Sequence, residues 1–376
     1  MRSSIPLVRV LGIPIRLDFS WFLTFGFVII ILGVWVYPEW LPDIGAPAHW
    51  LLAVVSGLLF FASLLLHELA HSLVARAYGI PVKGITLFIF GGVAQITREA
   101  KRPFVEFVMA LAGPATSVLL AGLLLLLWWA VGSGSEQPVA VMVEWLMVMN
   151  LGVALFNMAP GFPLDGGRVL RSVLWWVTGD FRRATFLASW CGRLMAYLLI
   201  LAGVAAVVID VPWLTPLTGL WFVFLGFFLE SAARQSWQQL KVLEFLRTQK
   251  AGDVMSRGFS AVPSWSTLED LARGYAGSLP AMCLFVTENE RVTGLLGHEQ
   301  LRAVPRAEWG NVTAGGAMKP SSQVRVVDPE TDLATVLQTM EGEDIRHAPV
   351  VEDGRLVGLL SRDAIVRLLV AHRVLR

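Results

Sequence analysis

Six apolar runs in the first 236 residues constrain the fold of this chain more than any other feature. They lie near residues 18–36, 50–76, 104–131, 139–159, 184–209 and 214–236. A helix that crosses a bilayer needs about 20 consecutive, mostly apolar residues. The residues from 250 to 376 instead have the composition of a soluble domain. We therefore predict an α-helical polytopic membrane domain with six spans, embedded in the lipid bilayer, followed by a soluble domain.

The charges between the runs predict the orientation of the spans. Lys and Arg occur before the first run, in the connections 77–103 and 160–183 and after the last run, whereas the other connections contain none. Positively charged connections stay on the cytoplasmic side, so six spans place both termini in the cytosol. The net charge of +1 is uninformative, but no basic tract or tail is present, and a nucleic-acid partner is not expected.

The second run contains the segment His67-Glu68-Leu69-Ala70-His71. Residues four positions apart share one face of a helix, so the two imidazoles can coordinate one metal ion. Glu68 can then act as a general base toward water. Ionisable side chains inside a span are costly and usually functional; the alternative is a solvated polar cluster at a helix end. The pattern predicts a metal centre with two histidine ligands.

A catalytic zinc site usually has three protein ligands, and topology narrows the choice of the third. Spans two and four are both predicted to run inward, so residues after span four emerge on the side of the two histidines. Asp165 lies there, in a segment broken by Pro160 and Pro163 and followed by glycines. Such broken backbone is tolerated where it lines a buried or water-filled site. Glu106, at the start of span three, is the rival ligand, and a plain turn with Asp165 as a helix cap is the alternative.

Four segments together resemble the site-2 protease family. They are HELAH (67–71), FGGVAQ (90–95), AGP (112–114) and NMAPGFPLDGG (157–167). The resemblance covers residues 1–240 or so and implies that Zn²⁺ is bound by His67, His71 and Asp165, with Glu68 as the catalytic base. It also implies that Asn157 helps to hold the substrate or to stabilise the oxyanion, and a hydrogen bond at the helix end is the alternative role for this residue.

The stretch 85–96 predicts a small membrane-associated β segment. It is short, rich in β-branched and aromatic residues, and contains a glycine pair suited to a turn or bulge. An exposed strand edge can pair with an unwound substrate and hold it extended, and a role in packing alone is the alternative. The family resemblance favours substrate binding by Phe90, Gly91, Gly92 and Val93.

The soluble part, residues 251–376, contains an internal repeat. Ala251-Gly-Asp-Val-Met255 recurs as Ala314-Gly-Gly-Ala-Met318, and Arg291-Val-Thr-Gly-Leu-Leu296 recurs as Arg355-Leu-Val-Gly-Leu-Leu360. The copies span about 251–312 and 313–376, and each is expected to fold into short strands and helices. They resemble an α/β tandem pair of cystathionine-β-synthase (CBS) domains.

The CBS resemblance implies an adenine nucleotide as ligand and a homodimer as a possible assembly. In that family, a Gly-x-x-Thr/Ser-x-x-Asp pattern places a hydroxyl and an acid near phosphate and ribose. The second copy has Ser361 and Asp363 after Gly358, with the acid one position early, whereas the first copy has Gly297 in place of the hydroxyl. Ser361 and Asp363 are therefore the candidate nucleotide ligands, and a purely structural dimerisation module is the alternative.

These observations divide the chain into a transmembrane zinc metalloprotease domain (1–240), a linker (241–250) and a tandem CBS regulatory domain (251–376). Two alternative functions are a CBS-regulated transporter and a non-hydrolytic zinc-binding scaffold. A transporter would have polar residues in several spans or broken helices in matching halves of the chain. A scaffold would lack Glu68 or one of the metal ligands. The expected function is hydrolysis of peptide bonds in or near transmembrane segments. The resemblance implies single-span or membrane-tethered regulatory proteins as substrates and a prokaryotic plasma membrane as the location.

Overall fold

The computed structural model describes residues 4–89, 91–96, 99–132, 137–209, 215–258, 261–274, 284–288, 291–320, 325–342, 345–353 and 355–372. The chain divides into two compact units, Met1–Trp237 and Gln238–Arg376. The first unit contains the metal-binding motif and most of the apolar sequence. The second contains the internal repeat.

The long helices of the first unit lie on the apolar runs, and two shorter helices, Tyr37–Trp40 and Asp165–Thr178, lie in the connections between the runs. Their bounds are Phe19–Ile31 (α1), Tyr37–Trp40 (α2), Ala46–Ala77 (α3), Pro103–Gly132 (α4), Pro138–Asn157 (α5), Asp165–Thr178 (α6), Phe181–Val208 (α7) and Pro216–Thr248 (α8). A π-helical turn at Leu32–Val36 joins α1 to α2. Within the described residues, five segments are long and apolar enough to cross a membrane, namely α1–α2, α3, α4, α5 and α7. The predicted polytopic helical fold is confirmed, and the sixth predicted span, 214–236, falls on α8, which is not among these five.

Local chemistry explains where several helices begin. Asp18 caps α1, because its carboxylate accepts a hydrogen bond from the backbone N–H of Ser20 at 3.0 Å. Asp180 caps α7 in the same way through the N–H of Arg183, also at 3.0 Å. Proline, which has no N–H to leave unpaired in a first turn, starts α4 and α5. Helix α1 therefore begins directly after a strand, and α7 begins after a two-residue connection from α6.

A four-stranded sheet accompanies the helices of the first unit. Its strands are Ser4–Val10 (β1), Ile13–Asp18 (β2), Val82–Phe88 (β3) and Gly91–Ile96 (β4), in the order β1-β2-β3-β4. The pairs β1–β2 and β3–β4 are antiparallel, and β2–β3 is parallel. The predicted β segment is therefore present as β3 and β4, and it is extended by an N-terminal hairpin that the sequence reading did not include.

One face of α3 carries the polar residues of its span into the interior. Its buried residues recur at spacings of three and four, the period of a helix face. The polar members of that face are His49, Ser56, Ser63, His67 and His71. The two histidines of the predicted metal site thus lie on the side of α3 that packs against α4.

The second unit contains two copies of one arrangement. The elements are Ala251–Val254 (α9), Ala261–Pro263 (β5), Leu268–Gly274 (α10), Leu284–Glu288 (β6), Arg291–Leu296 (β7), His298–Ala303 (α11), Ala314–Ala317 (α12), Lys319–Pro320 (β8), Leu333–Gly342 (α13), His347–Glu352 (β9), Arg355–Ser361 (β10) and Arg362–Ala371 (α14). In the first copy, β5 is parallel to β6 and β6 is antiparallel to β7. The second copy repeats this with a parallel bridge at Val327–Val350 and the antiparallel pair β9–β10. The predicted α/β repeat is confirmed.

The two copies exchange their leading segments. Met255, after α9, packs on Gly358 of the second copy, and Met318, after α12, packs on Gly294 of the first. Ala251 accordingly belongs to the core cluster of the second copy and Ala314 to that of the first. Each hydrophobic core is therefore completed by residues from the other half of the repeat.

Candidate metal centre

Helix α3 supplies two imidazoles and one carboxylate to the same site. His67 and His71 are 2% and 4% exposed, and their ring centroids lie 4.9 Å apart. Glu68 follows His67 directly and is half-buried. The spacing of four residues brings both rings to one face of the helix, as the motif predicts.

Helix α4 orients both rings through their Nδ1 atoms. His71 Nδ1 lies 2.7 Å from the backbone carbonyl oxygen of Met109, and His67 Nδ1 lies 2.9 Å from Ser117 Oγ. A carbonyl oxygen can only accept, so Nδ1 of a neutral His71 carries the proton and its Nε2 keeps a lone pair. Partners of this kind fix the tautomer and orientation of metal-ligating histidines.

Gly113 of α4 leaves the space in which the two Nε2 atoms lie. A Cβ built on this residue would lie 2.5 Å from His67 Nε2 and still closer to His71 Nε2. Real Cβ atoms essentially never approach other atoms so closely. Glycine is therefore the residue that permits α4 to cross directly over the site.

Asp165 reaches the same point from the first turn of α6. Its Oδ2 lies 3.2 Å from His67 Nε2 and 3.1 Å from His71 Nε2. The segment before it folds back closely, since a Cβ on Gly166 or Gly167 would collide with the backbone of residues 158–162. The glycines therefore allow the chain to double back and present Asp165 to the histidines.

The donor set fits a divalent cation. The ligand atoms of His67, His71 and Asp165 all lie within 4.8 Å of one another. Lone pairs of Nε2 and of a carboxylate oxygen repel one another unless a proton or cation lies between them, and the Nδ1 partner of His71 directs its proton away from this point. Two imidazoles and one carboxylate are among the ligand sets of catalytic zinc, with a fourth position open.

Strand β4 lies against Glu68. The backbone N–H of Ala94 donates a hydrogen bond to the Glu68 carboxylate, and a Cβ on Gly92 would collide with the Glu68 side chain. The positive charge of Arg168, three residues after Asp165 on α6, also acts on this carboxylate. Glu68 therefore lies between the cluster and strand β4.

Two further residues from the sequence analysis have other partners. Glu106, the rival third ligand, accepts hydrogen bonds from Nε and Nη2 of Arg171, the first at 2.7 Å. The amide of Asn157 donates to the carbonyl oxygen of Val153 in its own helix at 3.0 Å. Within the described residues, neither side chain belongs to the histidine–aspartate cluster.

The predicted substrate segment coincides with the start of β4. Gly91, Gly92 and Val93 lie on this strand, and Val93 is 41% exposed. Phe90 lies outside the described residues. Strand β4 ends the sheet, and among the described residues only β3 pairs with it.

The predicted nucleotide ligands lie at the N-terminal end of α14. Ser361 caps this helix, with its Oγ accepting from the N–H of Ala364 at 3.1 Å, and Asp363 is exposed in the first turn. His347 pairs with Ser361 across the β9–β10 ladder. Burial lowers the pKa of the His347 imidazole, and the negative charge of Asp363 partly opposes this effect.

Met109, Gly113 and Ser117 contact or adjoin the two histidines of the cluster but were not identified from the sequence. Their spacing of four residues repeats across α4, yet small and apolar residues are common in any packed span. The AGP segment was part of the family resemblance, but nothing in the sequence assigned Gly113 to the imidazoles. Only the packing of α4 on α3 discloses this contact.

Comparison with known proteins gives consistent matches along the chain. The family model of Peptidase family M50 matches residues 56–134 and 130–202, and that of the CBS domain matches residues 316–371. The protein sll0528 of Synechocystis is 33% identical over 377 residues, which cover 98% of this chain and 96% of that protein. Rip3 of Mycobacterium tuberculosis is 32% identical over 381 residues, which cover 100% of this chain and 95% of that protein. Both have provisional names as zinc metalloproteases.

A solved structure is also similar. The site-2 protease from Methanocaldococcus jannaschii is 28% identical, covers 62% of this chain and 95% of its own, and has a TM-score of 0.43. The stretch matched by the peptidase family model contains Glu68 and all three members of the cluster.

Proposed function

Because this chain belongs to peptidase family M50, the site-2 proteases, and carries a CBS domain near its C-terminus, we propose that its histidine–aspartate cluster binds the catalytic zinc and hydrolyses peptide bonds in or near transmembrane segments. The chain is a zinc metalloprotease and a multi-pass membrane protein. The proposal concerns which residues act and on what kind of substrate.

The convergence of two Nε2 atoms on one carboxylate oxygen carries the proposal. His67 and His71 are buried, and Asp165 Oδ2 lies 3.1–3.2 Å from both. Polar groups of this kind are expensive in a membrane-spanning protein, so they are seldom retained without a function. The arrangement supports His67, His71 and Asp165 as ligands, as the family resemblance implies.

The chemistry follows from the groups around the cluster. Zinc bound there would supply a Lewis acid that polarises the scissile carbonyl and makes a nearby water more acidic. The Glu68 carboxylate is positioned to take a proton from the attacking water and to return it to the leaving amide nitrogen. The Ala94 N–H keeps this carboxylate in place. Asn157 remains a candidate for contact with the substrate carbonyl.

The edge of β4 is the proposed binding surface for the substrate backbone. The N–H of Ala94 donates to Glu68, which places the general base beside this strand. An extended peptide that pairs with β4 would therefore carry its own backbone past Glu68. Because helical peptide bonds are hidden in hydrogen bonds, a transmembrane substrate must unwind first, and Gly91, Gly92 and Val93 present little side chain to obstruct the new pairing.

The proposed substrates are single-span or membrane-tethered regulatory proteins of a prokaryotic plasma membrane, with both termini of the protease in the cytosol. We further propose that the CBS pair modulates activity, as a homodimer or by binding an adenine nucleotide. Ser361 and Asp363 lie at the N-terminus of α14. The positive end of a helix dipole favours phosphate there, while Asp363 is suited to accept from ribose hydroxyls.

The test is a comparison of wild-type protein with Glu68→Gln in detergent, using bound zinc and cleavage of a panel of single-span substrates. We expect both proteins to bind about one zinc per chain and the variant to cleave about 10²–10⁴-fold more slowly, the range for loss of a general base. Glu144→Gln, which removes a carboxylate elsewhere in a span, should cleave normally. A Glu68→Gln protein that cleaves at the wild-type rate would contradict the assignment.

A further inference from the structure

A buried ion pair joins α4 to α6 within the first unit. The Arg171 guanidinium donates from Nε to Glu106 Oε1 at 2.7 Å and from Nη2 to the same oxygen. Glu106 is 1% exposed and Arg171 is 8% exposed. Glu99 Oε1 lies 3.8 Å from Arg171 Nη1 and is half-exposed.

Two aromatic rings hold the guanidinium in place. Its Cζ lies 4.9 Å from the ring centroid of Phe162 and 4.7 Å from that of Phe181. Phe162 belongs to the segment that turns back to present Asp165, and Phe181 begins α7. Arg171 therefore contacts α4, the loop before Asp165 and the start of α7 at the same time.

The partner carboxylate lies on the face of α4 that orients the two histidines. Glu106, Met109, Gly113 and Ser117 are separated by three, four and four residues, so they follow one side of the helix. All four are buried. The histidine partners and the anchor for Arg171 therefore belong to one rigid surface.

The energetics of the pair favour a positioning role over a stabilising one. Removing two charges from water costs about as much as their attraction returns, so a buried pair is seldom a net source of stability. Glu106 Oε2 is moreover buried without a hydrogen-bond partner among the described residues. What the pair does provide is a fixed distance between α4 and the helix whose first residue is Asp165.

We infer that Glu106 and Arg171 are positioning residues that hold Asp165 at the correct distance from His67 and His71. The inference rests on the proposed metal site. Because α6 is one continuous helix from Asp165 to Thr178, fixing Arg171 on α4 fixes the start of the helix as well. Without the pair, α6 can shift against α4 while both histidines keep their partners.

The test measures zinc affinity by chelator competition in the full-length protein, beside thermal unfolding and cleavage. The decisive variant is Glu106→Leu/Arg171→Met, which removes both buried charges and leaves only the half-exposed Glu99, which water can solvate, without its partner. Such replacements are often neutral for stability. We expect the wild-type unfolding temperature but a zinc dissociation constant raised about 10- to 100-fold, the range for loss of groups that orient metal ligands. A folded double variant with wild-type zinc affinity would overturn the inference.

Two further variants keep the test decisive. If the double variant does not fold, Arg171→Lys retains the charge but loses the planar fork that lies between the two rings. Its zinc affinity should fall between those of the wild type and a protein lacking Asp165, and wild-type affinity would again overturn the inference. The matched control is Arg193→Met, which removes an ion pair with Glu230 at 3.4 Å between α7 and α8 and should leave zinc affinity unchanged.

The readouts separate this inference from the proposed function. Zinc affinity alone decides the role of the pair. A wild-type protein that binds zinc but cleaves nothing contradicts the proposed hydrolysis only. A wild-type protein that binds no zinc contradicts both.

Discussion

The proposed metal centre of the first unit and the N-terminal end of α14 in the second unit contain the same three kinds of side chain in different arrangements. At the proposed metal centre, two imidazoles and a serine hydroxyl are buried, Asp165 is partly buried, and these groups lie within hydrogen-bonding distance of one another. At α14, His347, Ser361 and Asp363 lie near a helix end that is open to solvent. There Ser361 caps its own helix.

The two arrangements differ in the free energy that is needed to bury their polar groups. Buried polar groups without partners destabilise a protein by several kcal/mol in apolar surroundings, so a convergent set among membrane-spanning helices indicates a function. A hydroxyl and an acid at a solvated helix end are explained by their local structural roles, since the hydroxyl caps the helix and the acid interacts with the helix dipole in the first turn. The comparison therefore predicts large, specific effects of small changes at the metal centre and small, local effects at α14.

Among the changes that test this comparison, the largest effect is expected from Gly113→Ala. The added Cβ would collide with both Nε2 atoms, so the rings must turn or α4 must move. Overpacking of this kind costs about 1–3 kcal/mol, which corresponds to about a 5- to 150-fold loss of zinc affinity. The matched control is Gly122→Ala on the same helix, where a Cβ meets no atom within 4 Å. Equal zinc affinity in the two variants would remove Gly113 from the site.

A smaller and more selective effect is expected from Gly92→Ala on β4. Its Cβ would displace the Glu68 side chain, and its three nearest atoms belong to Glu68 and Leu87 rather than to the proposed ligands. Cleavage should fall about tenfold, which corresponds to an increase of about 1.4 kcal/mol in the activation free energy. Zinc content should stay at the wild-type level. Gly152→Ala on α5, which has open space, is the control. Loss of zinc in Gly92→Ala would show that β4 supports the ligands rather than the base.

The smallest effect is expected from Ser361→Ala. Loss of a helix cap costs about 1 kcal/mol, so amide hydrogen exchange in α14 should accelerate about fivefold, with zinc content and nucleotide-free cleavage unchanged. Ser256→Ala, whose hydroxyl donates to the carbonyl of Gly258 at 3.4 Å and caps no helix in the described part of the chain, should leave exchange in α14 unaltered. A change in zinc content with Ser361→Ala would break the contrast between the two regions.

Several features were predictable because their signals are local. The span helices follow from apolar length, and the two histidines follow from their spacing within α3. Asp165 could be chosen as the candidate third ligand because the predicted topology and the broken helix place it on the same side of the membrane as the two histidines. These inferences need only the chain direction and the period of a helix.

Other features depend on contacts between distant segments. Ser117 lies fifty residues from its partner His67, and the Glu106–Arg171 pair joins residues sixty-five apart. The exchange of Met255 and Met318 between the CBS copies is of the same kind. The β1–β2 hairpin, by contrast, had a partial sequence signal, because Gly12, a residue type that suits a tight turn, lies between two apolar stretches. In the structure Leu11 and Gly12 form this turn with positive φ.

The central claim is that His67, His71 and Asp165 bind one zinc ion, and X-ray absorption at the zinc edge of the loaded Glu68→Gln protein tests it most directly. The account predicts about two imidazole nitrogens and a carboxylate oxygen, each at about 2.0–2.2 Å, and a spectrum that loses one ligand in Asp165→Asn. A wild-type spectrum in Asp165→Asn, or the absence of imidazole scattering, would contradict it.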